Sequence, residues 1–261
     1  MLNSELIKSL LIGKSFICKI YFFDKLESTN DFARNNQLQD GSLIITNHQT
    51  GGRGRLQRKW ESEKNKNLTF TILKNFELKP KDQISLVYFF AYSVFSVISK
   101  YINELNEDCE KNSLSIKWPN DILLNNKKIA GILIETKPKS RMLAAGIGIN
   151  VNQLSFSEDI SNFTSSVLAE TNKQLDLNNL LIDIIKEIQQ NLILINNYKL
   201  LEIFSLWKKN NKYIGKEVTF LTSNGEKKQA IVDDISPDGK IFLSSHGQKY
   251  SFISNDIKLQ I

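Results

Sequence analysis

In this 261-residue chain the residues best suited to chemistry crowd into "QTGGRGRLQRKW", Gln49 to Trp60. Gly51, Gly52 and Gly54 are interleaved with Arg53 and Arg55, and Arg58 and Lys59 follow. The chain holds only five arginines, at 34, 53, 55, 58 and 141, while lysine supplies nearly all other positive charge. Three of those five fall within six residues, a local preference for guanidinium over ammonium. A guanidinium presents a rigid planar fork of donors that matches carboxylate or phosphate in bidentate fashion. Adjacent glycines remove side-chain bulk, so backbone N–H groups approach an anion closely. A solvated basic hairpin tip is the plainer reading. The apolar strand leading in and Trp60 leading out favour an anion-binding loop.

Familiar phosphate signatures fail. Gly13-Lys14-Ser15 ends like a Walker A loop, but Lys8 stands at the first glycine position and no strand precedes it. "GRGRLQ" and "GIGINV" each lack the last glycine of a dinucleotide fingerprint. Two histidines, His48 and His246, give a Ser-His-Asp triad little to draw on, and two cysteines, Cys18 and Cys109, build neither a disulfide framework nor a metal site. Few cysteines suit a reducing, cytoplasmic setting. The first residues lack the basic start, long apolar run and cleavage site of a leader, and no run reaches the 18 apolar residues of a membrane span. A net charge of +6 suits an anionic ligand or acidic partner and is too modest to imply nucleic acid.

These residues need a frame. β-branched and aromatic runs predict strands in "SFICKIYFFDKLE", "GSLIITNHQT" and "NLTFTILKNF". A short helix starts at "STNDFARNNQ" with Ser28 or Thr29 as N-cap. "KDQISLVYFFAYSVFSVISKYINEL" reads as a long buried helix and residues 176–210 as one or two more. Between them lies a β-meander with turns at Pro119-Asn120-Asp121, Asn125-Asn126 and Lys137-Pro138. From about residue 213, five short strands at close spacing, with turns at Ser223-Asn224-Gly225, Pro237-Asp238-Gly239 and His246-Gly247, predict a small β-barrel.

"GRGRLQRKW" resembles the glycine/arginine loop of biotin–protein ligases. "ESTN" at 27–30, "KWPNDILLNNKKIAGILIE" at 117–135 and "GIGINVN" at 146–152 stand in that family's order and near its spacing. The resemblance implies an α+β fold: a mixed β-sheet with flanking helices, class II aminoacyl-tRNA synthetase/biotin synthetase-like, over residues 1–212, then a C-terminal SH3-like β-barrel over 213–261. Only about 15 residues precede the first strand, so the resemblance is to the monofunctional type without a repressor domain. Where the family often reads "GRGRRGR", this chain has Leu56 and Gln57 in place of arginine and glycine.

The resemblance implies that biotin's carboxylate attacks the α-phosphorus of ATP, with Mg²⁺ as cofactor, and that the biotinyl group then passes to a lysine of a biotin carboxyl carrier protein domain. It names Lys128, Arg55 and Arg53 as catalytic. Biotin would meet Ser28, Thr29, Asn30, Gln49, Gly52, Arg53, Arg55, Lys128, Gly131 and Gly146, with Gly148 at the pocket border. ATP would meet Arg55, Arg58, Trp60, Asn120, Lys128 and Asn150, and Asp121 would hold the metal. Gly131 is expected to let a ligand lie close to its strand. No DNA or membrane partner is expected, and the family's members are monomers or weak homodimers. A lipoate–protein ligase, which generally lacks the arginine-dense loop, and a non-enzymatic nucleic-acid-binding protein are the alternatives.

Overall fold

The computed structural model describes residues 1–79, 82–105, 112–137, 140–221, 226–253 and 259–260. Cys109, Pro138 and the Ser223–Gly225 turn lie outside them. Seven strands, β1 (Lys19–Phe23), β2 (Ser42–Thr46), β3 (Leu68–Asn75), β4 (Leu114–Lys117), β5 (Asp121–Leu124), β6 (Lys127–Thr136) and β7 (Met142–Ile149), form one sheet ordered β1-β2-β3-β7-β6-β5-β4. Only β1 and β2 are parallel. A parallel pair needs a crossover, supplied by α2 (Thr29–Asn35). Of the antiparallel pairs, β4–β5 and β5–β6 are joined by short turns. Asn125 and Asn126, at φ 49° and 71°, form the two-residue turn between β5 and β6, where positive φ matches the twist of the flanking strands.

The remaining helices are α1 (Ser4–Leu11), α3 (Ile84–Leu105), α4 (Glu158–Ser161), α5 (Val167–Thr171), α6 (Leu177–Asn196) and α7 (Leu200–Lys209). Residues 176–210 thus form two helices, parted at Tyr198, whose φ of 54° no helix can continue through. The sequence reading leaves α1, α4 and α5 unassigned. α4 and α5 are too short to show a helical period. α1 buries Ile7 and Leu11 and is capped by Asn3, whose side chain accepts from the Glu5 and Leu6 N–H groups. α3 carries a stretch, Ile84–Glu104, long and apolar enough to cross a membrane by length and composition, although serines, Lys100 and Asn103 interrupt its apolar run. Here it is the central core helix, packed against α6, α7 and the sheet.

Alternation along the strands sends one side-chain set to each face. Phe70, Ile72, Ala130, Ile132, Ala145 and Ile147 join the large core with α3 and α6. On the opposite face, α2 covers one end only, through a small cluster of Ala33, Ile44, Leu73 and Ala144. The rest of that face is the floor of a cleft.

The chain ends in a five-stranded antiparallel sheet, β8 (Glu217–Leu221), β9 (Lys227–Ile235), β10 (Ile241–Ser245), β11 (Gln248–Phe252) and β12 (Leu259–Gln260), ordered β11-β10-β9-β8-β12. Val218, Phe220, Val232, Ile235, Ile241 and Leu243 fill its interior, the small SH3-like module. It docks on the helices. Tyr88 Oη of α3 donates to the Ser236 carbonyl at 3.4 Å, and Lys208 of α7 pairs with Asp234 at 2.5 Å.

Candidate active site

The strand register lines up two cross-sheet rows on the open face. Thr69, Gly148, Gly131 and Asp121 form one; Thr71, Gly146 and Leu133 form the other. Above them lies a cleft of ≈ 930 Å³. The glycines are seats for this protein's own side chains. A Cβ on Gly148 would stand 2.5 Å from the Trp60 ring, and one on Gly146 would stand 2.3 Å from Asn30 Oδ1. One on Gly131 would stand 3.1 Å from Lys128 Nζ. Gly131 lines the cleft and also makes room for the lysine arm. Gly52, expected to meet biotin, is buried outside the cleft lining, where a Cβ would press on Gln49 Nε2 at 2.5 Å.

Lys128 reaches the open face because β6 carries a bulge. Ile122 pairs with Ala130, but Leu123 pairs with Lys128, leaving Ile129 as the extra residue. In plain alternation with Ala130 and Ile132, Lys128 would point into the core. One extra residue reverses its direction. The bulged backbone is pinned: Lys128 N–H donates to the Phe163 carbonyl at 2.8 Å, and Ser165 N–H to the Lys128 carbonyl at 3.0 Å. Asn150, 2 % exposed, helps hold that return by donating from Nδ2 to the Ser165 carbonyl at 3.1 Å. The Lys128 ammonium lies 2.7 Å from Asp121 Oδ1 and 5.4 Å from the centre of the Trp60 ring, an arrangement of ion pair and cation–π contact.

One end of the cleft is rich in neutral polar groups. Ser28 is the N-cap of α2, its hydroxyl accepting from Asp31 N–H at 3.2 Å. Gln49 Oε1 accepts from Thr29 N–H at 2.9 Å and Thr29 Oγ1 at 3.1 Å. Thr71 Oγ1 stands 2.8 Å from Thr29 Oγ1 and 2.7 Å from Asn30 Oδ1. Asn30 Nδ2 donates to Glu135 Oε2 at 2.9 Å, whose other oxygen takes Arg34 at the same distance.

The arginine loop crosses the cleft as a tight hairpin. Arg53 bridges to Lys59, and Gly54 N–H donates to the Arg58 carbonyl at 2.6 Å. Leu56 and Gln57 at the tip have φ of 54° and 58°. Arg53 is tied to Asp31 of α2, and Arg55 donates to Asn120 Oδ1 at 3.3 Å. Asn120 is held in turn by donating to the Ile132 carbonyl at 2.7 Å. Burial pulls the Arg55 guanidinium below its ordinary range, against the opposing charge of Asp121.

Known proteins share this fold. The signature of the Biotin/lipoate A/B protein ligase family matches residues 22–152, half of the chain, and spans the arginine loop, the bulge and both glycine rows. The chain belongs to that family. The Bifunctional ligase/repressor BirA of Escherichia coli (strain K12) is 28% identical over 265 residues, covering 100% of this chain and 78% of the relative. A Biotin–[acetyl-CoA-carboxylase] ligase of Mycobacterium tuberculosis is 25% identical over 221 residues, 84% of this chain and 79% of that one. The solved structure of a biotin protein ligase from Aquifex aeolicus in complex with biotin and ATP superposes with a TM-score of 0.78 at 27% identity, covering 94% of this chain and 99% of that chain.

Within this ligase-family cleft the structure gathers every residue assigned to the biotin, ATP or metal site from the sequence except Gly52. It also adds residues that sequence reasoning missed. Thr71, buried behind the cleft and bonded to Thr29 and Asn30, was legible as a polar member of the alternation in "LTFTI", and Glu135, which lines the cleft, as the odd-numbered successor of Gly131 and Leu133. Lys117, Lys212 and Tyr213 also line the cleft. Tyr213 comes from the connector after α7, and nothing local in the sequence ties it to the motifs.

Proposed function

We propose that this chain is a biotin–protein ligase, which adenylates biotin with ATP to give biotinyl-5′-AMP and transfers the biotinyl group to a lysine of a biotin carboxyl carrier protein domain. The carrying observation is the bulge-directed Lys128. It stands between a pocket of neutral hydrogen-bonding groups and a flank of arginine and tryptophan. Adenylation brings an anionic carboxylate to an anionic phosphate, so the barrier falls where a fixed cation meets the charge that develops between them. Lys128 is that cation, with Arg53, Arg55 and Arg58 adding positive charge from the loop. Closure of the loop shields the mixed anhydride from water.

Ser28, Thr29, Asn30 and Gln49 hold the ureido head of biotin, between the strands that carry Gly131 and Gly146. Biotin, with a polar head on an apolar tail, suits this end. A lipoyl dithiolane would leave the same buried groups unpaired, a mismatch that costs selectivity of several decades in sites built for hydrogen bonds. Trp60 packs on the adenine, while Asn120 and Asn150 contact the nucleotide. Asp121 Oδ1 is buried and accepts no well-directed hydrogen bond despite its ion pair with Lys128. One such carboxylate beside phosphate oxygens is the donor set that suits Mg²⁺. Bound there, Mg²⁺ would neutralise triphosphate charge. A cytoplasmic setting supplies ATP and the carrier together, and an acidic carrier would complement the +6 charge.

ATP–pyrophosphate exchange tests this reading. Exchange should require biotin and ignore lipoate. Exchange driven by lipoate, or none with either acid, would contradict it.

A further inference from the structure

Two lysines stand side by side at the start of β6, and only the bulge decides which of them enters the cleft. In plain alternation Ile129 and Lys127 would follow Gly131 onto the open face, and Lys128 would turn away. With Ile129 as the extra residue the order reverses: Lys128 lines the cleft and Lys127 stands outside its lining. A bulge of this kind holds only where its register is fixed. One carboxylate outside the cleft grips the bulge from both sides. Glu170 belongs to α5, which is tied to the end of the sheet: Val167 N–H donates to the Asn150 carbonyl at 3.1 Å and Leu168 N–H to the Val151 carbonyl at 2.8 Å. From that base Glu170 Oε1 accepts from the Ser165 hydroxyl at 2.6 Å, and Oε2 accepts from Asn125 Nδ2 at 3.1 Å. Lys127 Nζ lies 3.5 Å from Oε1. Ser165, 4 % exposed, is the residue whose N–H donates to the Lys128 carbonyl. Asn125 is in the turn that precedes the bulge.

We propose that Glu170 is a positioning residue for adenylation, which fixes the bulge so that Lys128, and not Lys127, stands in the cleft. The inference rests on the ligase reading and extends it to a group that touches no ligand. All three neighbours of Glu170 donate, and an ionised carboxylate only accepts. Burial pushes the Glu170 carboxyl up, but hydrogen bonds from Ser165 and Asn125 and the charge of Lys127 outweigh it and leave the group below the usual range. The Lys127 pair is half exposed on the lysine side and contributes little by itself. The two hydrogen bonds carry the clamp, because bonds to an ionised acceptor are the strong ones. One reaches the turn ahead of Lys127, and the other reaches the segment paired with Lys128. Glu170 stands outside the cleft lining, so it acts on the reaction through the placement of Lys128. A displacement of about 1 Å at a reacting group costs up to about 10²-fold in rate.

The test measures biotinyl-AMP formation in a single turnover by the full chain, by its Glu170→Ala and Ser165→Ala variants, and by the same two changes made on a Lys128→Ala background. Glu170→Ala should slow the step by about 10–10²-fold. Ser165→Ala, which keeps the backbone pairing with Lys128, should slow it by less. Biotin affinity, set at the α2 end of the cleft, should stay unchanged in both. On the Lys128→Ala background neither change should cost anything further, because the effect runs through the lysine. A loss as large on that background as in the wild type would make Glu170 a general support of the fold and overturn the proposal. Wild-type rates in both single variants would overturn it too. The Ser165→Ala cycle answers the same question where Glu170→Ala does not fold. Each of these results leaves the ligase reading standing, whereas a wild-type chain that forms no biotinyl-AMP would overturn both.

Discussion

The glycine seats turn single methyl groups into probes of the site. A methyl on Gly148 meets the Trp60 ring, and one on Gly146 meets the amide of Asn30. Gly148→Ala should therefore raise the KM for ATP with a smaller effect on biotin, and Gly146→Ala should do the reverse. Steady-state kinetics with each substrate varied in turn checks the crossed pattern; equal effects on both substrates would mean that the two ends are not separate. Lys128→Ala should slow formation of biotinyl-AMP by roughly 10²–10³, the scale of losing one preorganised donor. Single-turnover adenylation measures it, and near-wild-type rates would remove Lys128 from the mechanism. At this scale the gathering of residues was legible from the sequence: Lys128, Trp60, Asn30 and the three loop arginines all line one cleft. What the glycines are for was not. A motif shows that a Cβ is missing, and only the folded register shows which side chain occupies its place.

Two elements set the site's geometry, the bulge in β6 and the arginine hairpin. The hairpin tip carries Gln57 at φ 58° where the resemblance places a glycine. A non-glycine residue there costs about 1–2 kcal/mol. Gln57→Gly should leave the loop intact, whereas Gln57→Val, β-branched and intolerant of positive φ, should loosen it. Release of biotinyl-AMP reports on both; Gln57→Val should speed it and Gln57→Gly should not. Arg55→Ala should speed release by roughly one to two decades, because charged hydrogen bonds contribute about 1.5–3 kcal/mol. Unchanged release would mean that Arg55 does not hold the adenylate. Most of the elements follow from residue patterns, notably the Ser28 cap and the Asn125-Asn126 turn. The bulge does not. Gly131 in "KKIAGIL" is compatible with a bulge, but the extra residue is Ile129, and its place emerges only when β5 supplies a register to compare.

At the scale of the molecule, the C-terminal module is fastened to the ligase core through the Lys208–Asp234 pair and Tyr88. Burial pushes the Asp234 carboxyl up, but hydrogen bonds from Lys208 and from Ile235 N–H outweigh it and leave the group below the usual range. A depressed carboxylate adds stability above its unfolded pKa of about 3.9, and that stability is lost as pH falls through the lower folded value. Asp234→Asn should accordingly lower Tm at pH 7 by a small amount, since the pair is half exposed, and the gap to wild type should close in acid, once Asp234 is protonated in the folded chain. A gap that persists in acid would assign the effect to packing. Long-range facts of this kind, like the return of Tyr213 to the cleft, had no local sequence signal, because they arise from how two folded units meet. The central claim is transfer, and one experiment addresses it most directly: the purified chain with ATP, Mg²⁺, labelled biotin or labelled lipoate, and an acceptor domain for each. Label on the biotin carrier's lysine alone is the expected result. Label on the lipoyl domain, or on neither, would contradict the account.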